Sequence, residues 1–262
     1  MRSPLGFDLR GALSGELRAA AAMLDAAADE PKAVHRCRVH LKRARALSRV
    51  GKQWAPGLAK VFNQTARAAM GALAHSRDAA ALVETAQAAE KRSRRKGAAA
   101  MRALAAAMTQ AGAASAAPDL HAASVAIRDM QALAQVWPEA SPRQIRAGAK
   151  RVSRNARRAR DNAMGARDAN LRHEWRKREK DRLYAAEILG KVWPARRDAK
   201  SRERLCELLG MERDTNRLVE RLQAEAVTTG CANTDARALK ALNRQLARCA
   251  RKANALAHRM YR

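Results

Sequence analysis

The feature that most constrains this chain is a nearly continuous series of helical patterns. Apolar residues, most of them Ala and Leu, recur with the period of 3.6 residues that gives a helix one buried face, and the alternation typical of β-strands is nearly absent. We therefore predict an all-α protein. The helical segments are expected at residues 8–28, 31–53, 58–95, 98–112, 120–136, 142–164, 169–192, 198–226 and 234–261.

Local signals indicate where several of these helices begin and break. Pro31 and Pro142 occupy positions suited to a first helical turn, and Ser141 is the expected N-cap before Pro142. Segments longer than about 25 residues are expected to contain a break. The candidates for such breaks are Gly71 and the region of Ser93.

Charge is the second constraint on the chain. The sequence contains 53 Lys and Arg residues against 25 Asp and Glu residues, a formal net charge of +28 at pH 7. This excess is far larger than solubility requires, so it predicts a polyanionic partner. The N-terminal residues lack the apolar run of a signal peptide, and no segment approaches 18 uninterrupted apolar residues, so we expect a cytoplasmic protein.

The cysteines give no sign of redox or metal chemistry. Cys37, Cys206, Cys231 and Cys249 form no C-x-x-C pair, and we expect all four to be buried, reduced thiols.

The clearest concentration of positive charge lies on the segment at residues 31–53. Five basic residues at offsets 0, 3, 7, 10 and 14 share one narrow face of the predicted helix: His35, Arg38, Lys42, Arg45 and Arg49. No carboxylate lies between Lys32 and Lys52. Like charges three and four residues apart repel one another, so this face is not arranged for stability. We expect an anion to bind against it.

A related pattern begins 138 residues later. His173, Arg176 and Lys180 repeat offsets 0, 3 and 7, Tyr184 lies beside this row, and Lys191 extends it at offset 18. Arg77-Asp78 and Arg213-Asp214 are a further matching pair, 136 residues apart. We therefore interpret residues 1–262 as one domain with two related halves, approximately 1–118 and 119–262. Related helical halves often pack about a pseudo-twofold axis, which would bring the two basic faces to one groove or pore.

Two other basic segments accompany these rows. Residues 143–160 form a third basic helix without a carboxylate, and its Arg157 and Arg158 are expected to help line the same site. The run KRSRRK at residues 91–96 is either an anion patch or a solvated turn, and we favour the solvated turn.

Both rows resemble the CHAD domain, the conserved-histidine α-helical domain. The family pattern H-x-x-R-x-x-x-K-R-x-R is matched by His35, Arg38, Lys42, Arg43 and Arg45. The more specific pattern HEWRKRxKDxxY is matched by residues 173–184, which include Lys177. Segments 156–160 and 209–214 look similar to two shorter family segments, so the similarity covers essentially the whole chain. Three positions depart from the family pattern, namely Val39, Ala156 and Leu183.

The resemblance implies a fold and a ligand. It implies two pseudo-symmetric four-helix bundles in one compact unit, with the histidines and cations lining a central basic pore that binds inorganic polyphosphate. It also implies association with polyphosphate granules. The E-x-E-x-K signature of the CYTH domain that is fused to some family members is missing. The expected ligand-binding residues are therefore His35, Arg38, Lys42, Arg43, Arg45, Arg49, Arg157, Arg158, His173, Arg176, Lys177, Lys180, Tyr184 and Lys191.

Other classes of function are less favoured by the sequence. No P-loop, dinucleotide turn or recognisable nucleophile motif is present, and the basic rows almost lack the acids that hold metal ions in phosphoryl transfer, so we expect neither an enzyme nor a cofactor. The cations around the histidines oppose a bound metal ion. Glu187 is expected to order Lys191 or neighbouring arginines. Non-specific nucleic-acid binding is the alternative, although aromatic residues for stacking are scarce. Membrane binding is disfavoured because the basic helices lack a Trp- and Phe-rich opposite face.

Overall fold

The computed structural model of the protein describes residues 6–30, 32–92, 95–113, 117–166, 168–194, 199–229 and 232–261. These residues form helices and connecting turns and contain no strand, which confirms the predicted all-α class. A short 3₁₀ helix, Gly190–Val192, follows the eighth α-helix. The α-helices of the described residues are α1 (Leu9–Asp25), α2 (Ala33–Gly51), α3 (Pro56–Ala72), α4 (His75–Arg92), α5 (Arg95–Ala113), α6 (Leu120–Gln135), α7 (Pro142–Ala163), α8 (Ala169–Leu189), α9 (Ala199–Thr229) and α10 (Ala232–Met260).

The helix boundaries follow the sequence signals closely in most places. The predicted segment 58–95 is broken just after Gly71, where α3 ends at Ala72 and α4 begins at His75. The expectation that every long segment is broken was wrong for α9 and α10, which run without interruption for 31 and 29 residues. Buried residues recur from Leu205 to Leu222 in α9 and from Ala238 to Ala257 in α10, so packing stabilises both helices over these stretches.

Polar side chains fix several helix starts. The Asp8 carboxylate accepts a hydrogen bond of 2.8 Å from the Gly11 amide at the start of α1. At the start of α7 the predicted N-cap is confirmed: the Gln144 amide donates to Ser141 Oγ at 3.3 Å, and the Ser141 amide donates to Gln144 Oε1 at 2.8 Å. This reciprocal arrangement is a capping box. Pro31 lies outside the described residues.

The chain divides into two compact units. Unit 1 comprises residues 1–74, 118–161 and 177–199, and it contains α1, α2, α3, α6, most of α7 and the C-terminal part of α8. Its core is built from large side chains that include Leu17, Leu41, Phe62 and Trp137. The rings of Phe62 and Trp137 meet edge to face with their centroids 5.8 Å apart.

Within unit 1, α2 and α7 approach each other closely. A Cβ atom on Gly148 of α7 would overlap the backbone carbonyl oxygen of Val50 in α2. A Cβ atom on Gly51 would likewise lie 2.5 Å from the ring of Trp137. Glycine is therefore required at both positions, and the contact fixes which face of α7 is turned towards the core.

Unit 2 comprises residues 75–117, 162–176 and 200–262, and it contains α4, α5, α9, α10 and the first part of α8. Its core includes Met101, Leu104, Leu218 and Leu242, and α5 packs against both α4 and α10. Each unit takes segments from both predicted sequence halves. The duplication about residue 118 and the pseudo-symmetric bundles stay predictions.

Candidate anion-binding site

The basic row of α2 lies at the margin of the core of unit 1. All five of its members, His35, Arg38, Lys42, Arg45 and Arg49, are partly buried. The buried residues of the same helix, which include Cys37, Leu41 and Leu47, occupy another face. The basic row predicted from the sequence therefore forms one face of α2, and this face is partly buried.

Arg45 and Arg49 belong to a cluster of arginines around one carboxylate. Arg49 Nη1 donates a hydrogen bond to Asp181 Oδ1 of α8, and Arg178 Nη1 lies 3.5 Å from Asp181 Oδ2. Burial, together with the charges of Arg49, Arg67 and Arg178, lowers the pKa of Arg45 to about 10, and the charge of Asp181 opposes this shift. Burial raises the pKa of Asp181 against the opposing effect of the arginines. We call Arg45, Arg49, Arg67, Arg178 and Asp181 the Asp181 cluster.

Arg43, on the neighbouring edge of α2, is held by two carboxylates. Its Nε atom donates to Glu16 Oε1 at 2.8 Å, and its Nη1 atom donates to Glu187 Oε2 at 2.7 Å. Burial lowers the pKa of Arg43, but the bonds and charges of Glu16 and Glu187 outweigh burial and raise it overall. His40 Nδ1 also lies 2.8 Å from Glu16 Oε2. The prediction that Glu187 orders an arginine is confirmed.

Arg38 has a structural contact that the sequence did not reveal. Its Nη1 atom donates to the carbonyl oxygen of Leu73 at 2.6 Å and approaches that of Met70 at 3.4 Å. These carbonyls lie at the C-terminal end of α3, where helical carbonyls lack partners within their own helix. A guanidinium at this position also complements the negative end of the helix dipole. Arg38 therefore caps α3.

The α8 residues of unit 1 differ in exposure. Lys177 is exposed, whereas Lys180 is partly buried and its Nζ atom lies 3.4 Å from the hydroxyl of Tyr184. The Tyr184 ring is buried and has cationic groups near its face, with Lys180 Nζ at 5.5 Å and the Arg43 guanidinium carbon at 5.9 Å. Lys191, on the 3₁₀ helix, is exposed.

In unit 2, His173 and Arg176 are partly buried. The Arg176 guanidinium packs over Gly210 of α9, because a Cβ atom there would meet Arg176 Nε at 3.5 Å. Burial lowers the pKa of Arg213, and the charges of Arg217 and Arg176 lower it further, against Glu220 and Asp214. Unit 2 thus contains a second group of arginines, Arg176, Arg213 and Arg217. In the sequence, only the repeat of Arg77-Asp78 indicated Arg213, and no pattern indicated Arg217.

A buried ion pair stabilises unit 2 beside this group. Arg172 Nε and Nη2 donate to the two carboxylate oxygens of Glu212 at 2.7 and 2.6 Å, and Nη1 donates to Asn254 Oδ1 at 2.7 Å. The guanidinium also lies 4.8 Å from the ring centroid of Trp175. These contacts join α8, α9 and α10. Periodicity alone could not distinguish this buried arginine from those expected to bind a ligand.

The remaining predicted positions have different surroundings. Arg157 and Arg158 are exposed on α7. Leu183 and Ala156, two of the departures from the family pattern, are buried. Cys37, Cys206 and Cys249 are buried free thiols, as predicted, whereas Cys231 lies outside the described residues. The side chains of Arg77, Asp78 and residues 92–97 also lie outside the described part of the chain.

Two further features concern metal binding and membrane crossing in the described ranges. No group of three or more His, Cys, Asp or Glu side chains comes together there in a way that could hold a metal ion. Every helix in those ranges is too short or too polar to cross a membrane.

Comparison with known proteins identifies the family. The family model described as the CHAD domain matches residues 11–223. The chain belongs to the CHAD domain family. The fold of this chain is similar to that in the crystal structure of the CHAD domain from the plant Ricinus communis, with a TM-score of 0.66. The two chains share 19% sequence identity, and the comparison covers 98% of this chain and 92% of that chain. No curated protein matches the sequence. Both basic rows lie within the residues matched by the CHAD model.

Proposed function

We propose that this CHAD domain binds inorganic polyphosphate, and that the face of α2 and the Asp181 cluster form part of the binding site. The observation that carries the proposal is that the charges acting on the partly buried Arg45 come from three arginines and one carboxylate. The charges of Arg49, Arg67 and Arg178 act on Arg45, and the opposing carboxylate is that of Asp181. Phosphate oxygens placed there would relieve the mutual repulsion of the arginines.

The cluster is suited to a phosphate polymer by its chemistry. Guanidinium groups form paired hydrogen bonds to phosphate oxygens, and partial burial strengthens such charged contacts compared with an exposed site. Arg49 is already oriented by Asp181, and Arg45 Nε lies 3.3 Å from Asn63 Oδ1, so part of the ordering cost precedes binding. Lys42 contributes a point charge on the same face of α2.

We propose binding without catalysis. The cations of the cluster stabilise phosphate charge but supply no general base. Within the described ranges, no three His, Cys, Asp or Glu side chains come together to hold the metal ion that phosphoryl transfer normally uses. The shared pore between His35 and His173, and the association with polyphosphate granules, are proposed from family membership. The two histidines belong to different compact units.

The test uses paired variants of equal charge. Lys42→Gln with Arg45→Gln removes two cations from the site, and Arg18→Gln with Lys60→Gln removes two exposed cations from other helices of unit 1. Isothermal titration with inorganic polyphosphate of one defined chain length should show a large loss for the first pair and a small loss for the second. If about 6 to 10 phosphates are engaged, wild-type affinity should fall by on the order of 10³ to 10⁵ between roughly 50 and 200 mM salt.

Two outcomes would contradict the proposal. Equal losses in both double variants would mean that overall charge, and not this site, governs binding. Shortening of the polymer on a gel after incubation with wild-type protein would contradict binding without catalysis.

A further inference from the structure

The outer face of α7 carries a row of cations that lie outside the α2 face and the Asp181 cluster, although the sequence pattern predicts that one of them, Arg158, lines the polyphosphate site. Six cations on this face are exposed to solvent, and one of them, Arg157, has an interaction within the chain. We call the other five the outer α7 row: Arg143, Arg146, Lys150, Arg154 and Arg158. At 100° per residue these positions fall within about 120° of one another around the helix. The buried positions Ile145, Ala149 and Val152 lie on the opposite side. The packing of Gly148 against Val50 fixes this orientation within unit 1.

The outer α7 row is not neutralised within the described part of the chain. No described carboxylate forms an ion pair with any of its five members, and the sequence from Pro142 to Arg160 contains no acid. The acid that follows, Asp161, is bonded to Arg160 at 2.8 Å. The row is therefore a continuous exposed strip of positive charge.

This arrangement is unfavourable for an isolated helix. Arg146, Lys150 and Arg154 are spaced four residues apart, where like charges repel. Arg143 and Arg146 lie in the first turns of α7, where the helix dipole favours anions over cations. A strip that opposes both effects is better explained by a partner than by the stability of the helix.

We infer that the outer α7 row is a second anion-binding surface, which binds the phosphate backbone of duplex nucleic acid. The row runs from Arg143 to Arg158, which are 15 helical steps apart, or about 22 Å at 1.5 Å per step. This length is less than one turn of B-form DNA at about 34 Å. A helix about 10 to 12 Å wide also matches the major groove, which is about 12 Å wide. Five cations can therefore reach phosphates within a single turn.

Other anionic partners fit this face less well. A helix that lies on a membrane inserts an apolar face, but the apolar residues of α7 are buried in the core of unit 1. Single-stranded nucleic acid is bound by stacking on aromatic side chains, and α7 has none. A duplex needs neither feature, because its phosphates are presented on the outside.

The test combines three variants with two probes. Arg146→Gln, Lys150→Gln and Arg154→Gln form the α7 triple variant. Arg18→Gln, Lys60→Gln and Lys240→Gln form a control with the same loss of charge at exposed positions on other helices. The third variant is Lys42→Gln with Arg45→Gln. The probes are a 5′-labelled random-sequence DNA duplex, measured by fluorescence anisotropy across salt, and inorganic polyphosphate of one defined length.

For the α7 triple variant we expect the magnitude of the slope of log K against log salt for DNA to fall by about 2.7. Each of the three lost phosphate contacts contributes about 0.9 to that slope. Affinity for DNA at about 0.1 M salt should fall by on the order of 10² to 10³. Its affinity for polyphosphate should stay within a few-fold of wild type, and the control should keep most DNA binding.

Three results would overturn the inference. These are the absence of DNA binding by wild type at about 50 mM salt, an equal loss in the control triple variant, and a loss of polyphosphate binding in the α7 variant as large as in Lys42→Gln with Arg45→Gln. A failure of the proposed polyphosphate site would be distinguishable from these results. In that case Lys42→Gln with Arg45→Gln would bind polyphosphate as well as wild type does.

Discussion

The guanidinium of Arg49 donates a hydrogen bond to the buried carboxylate of Asp181, and this contact joins α2 to α8 within unit 1. Asp181 also attracts Arg178 and opposes the positive charges that act on Arg45. One carboxylate thus orders a group of arginines and partly neutralises it. The negative charge of Asp181 therefore stabilises the fold but reduces the positive charge available to a ligand.

Asp181→Asn should separate these two effects. The amide removes the negative charge, so the free energy of unfolding should fall by several kcal/mol because the arginines of the cluster lose their buried counter-charge. Polyphosphate affinity should rise, and added polyphosphate should raise the Tm of the variant more than that of wild type. Thermal unfolding with and without polymer measures both. A lower affinity with an intact fold would show that Asp181 positions the arginines for binding more than it competes with the ligand.

Arg172→Ala should destabilise unit 2. The substitution leaves the buried Glu212 carboxylate without its bidentate partner, which typically costs about 3 to 5 kcal/mol. Arg172→Leu with Glu212→Leu removes both charges and should recover much of that loss. Urea denaturation compares the three proteins. A double variant that is less stable than Arg172→Ala would contradict this explanation.

Arg38→Ala should weaken the end of α3. The loss of hydrogen bonds to the Leu73 and Met70 carbonyls should lower the free energy of unfolding by about 1 to 3 kcal/mol. Amide hydrogen exchange should increase in the last turn of α3, where the cap is lost. Exposed Arg18→Ala in α1 is the control, and equal exchange in both variants would remove the capping role. Reduced polyphosphate binding by an Arg38 variant must therefore be interpreted together with its stability.

Gly148→Ala and Gly15→Ala should have opposite effects. A methyl group at Gly148 overlaps the Val50 carbonyl, and overpacking of this kind costs about 1 to 3 kcal/mol. At Gly15, inside α1, a Cβ atom meets nothing within 4 Å, so alanine should stabilise the protein by about 0.5 to 1 kcal/mol. Urea denaturation decides the sign of each change. A stabilising Gly148→Ala would contradict the close packing of α2 and α7.

Cys37 should be unreactive in the folded protein. Burial raises the pKa of its thiol from 9.0 to about 11, against a smaller opposing effect of Arg38. The thiol therefore stays protonated at pH 8.5, and iodoacetamide labelling followed by peptide mapping should modify it only in denaturant. Because the unfolded thiol ionises first, this group makes stability fall as pH rises from about 9 to 11. Cys37→Ala should lack that component, and rapid native labelling at pH 8.5 would contradict the assignment.

Much of the fold and of the basic rows was accessible from the sequence. The helical period identified the segments that became α1 to α10, and the repeated histidine, arginine and lysine spacings led to the CHAD family, which the family model confirms. These features are local, because a helix fixes the angular position of each side chain from its number alone. The row of α2 therefore emerged on one face, as predicted.

Only the tertiary structure decided what each cation does. Arg38 meets the end of α3, Arg43 meets Glu16 and Glu187, and Arg49 meets Asp181. All of these partners lie outside the helix that carries the arginine, at separations of 27 to 144 residues. The period of a helix shows which side chains share a face, but packing determines which distant groups that face will meet.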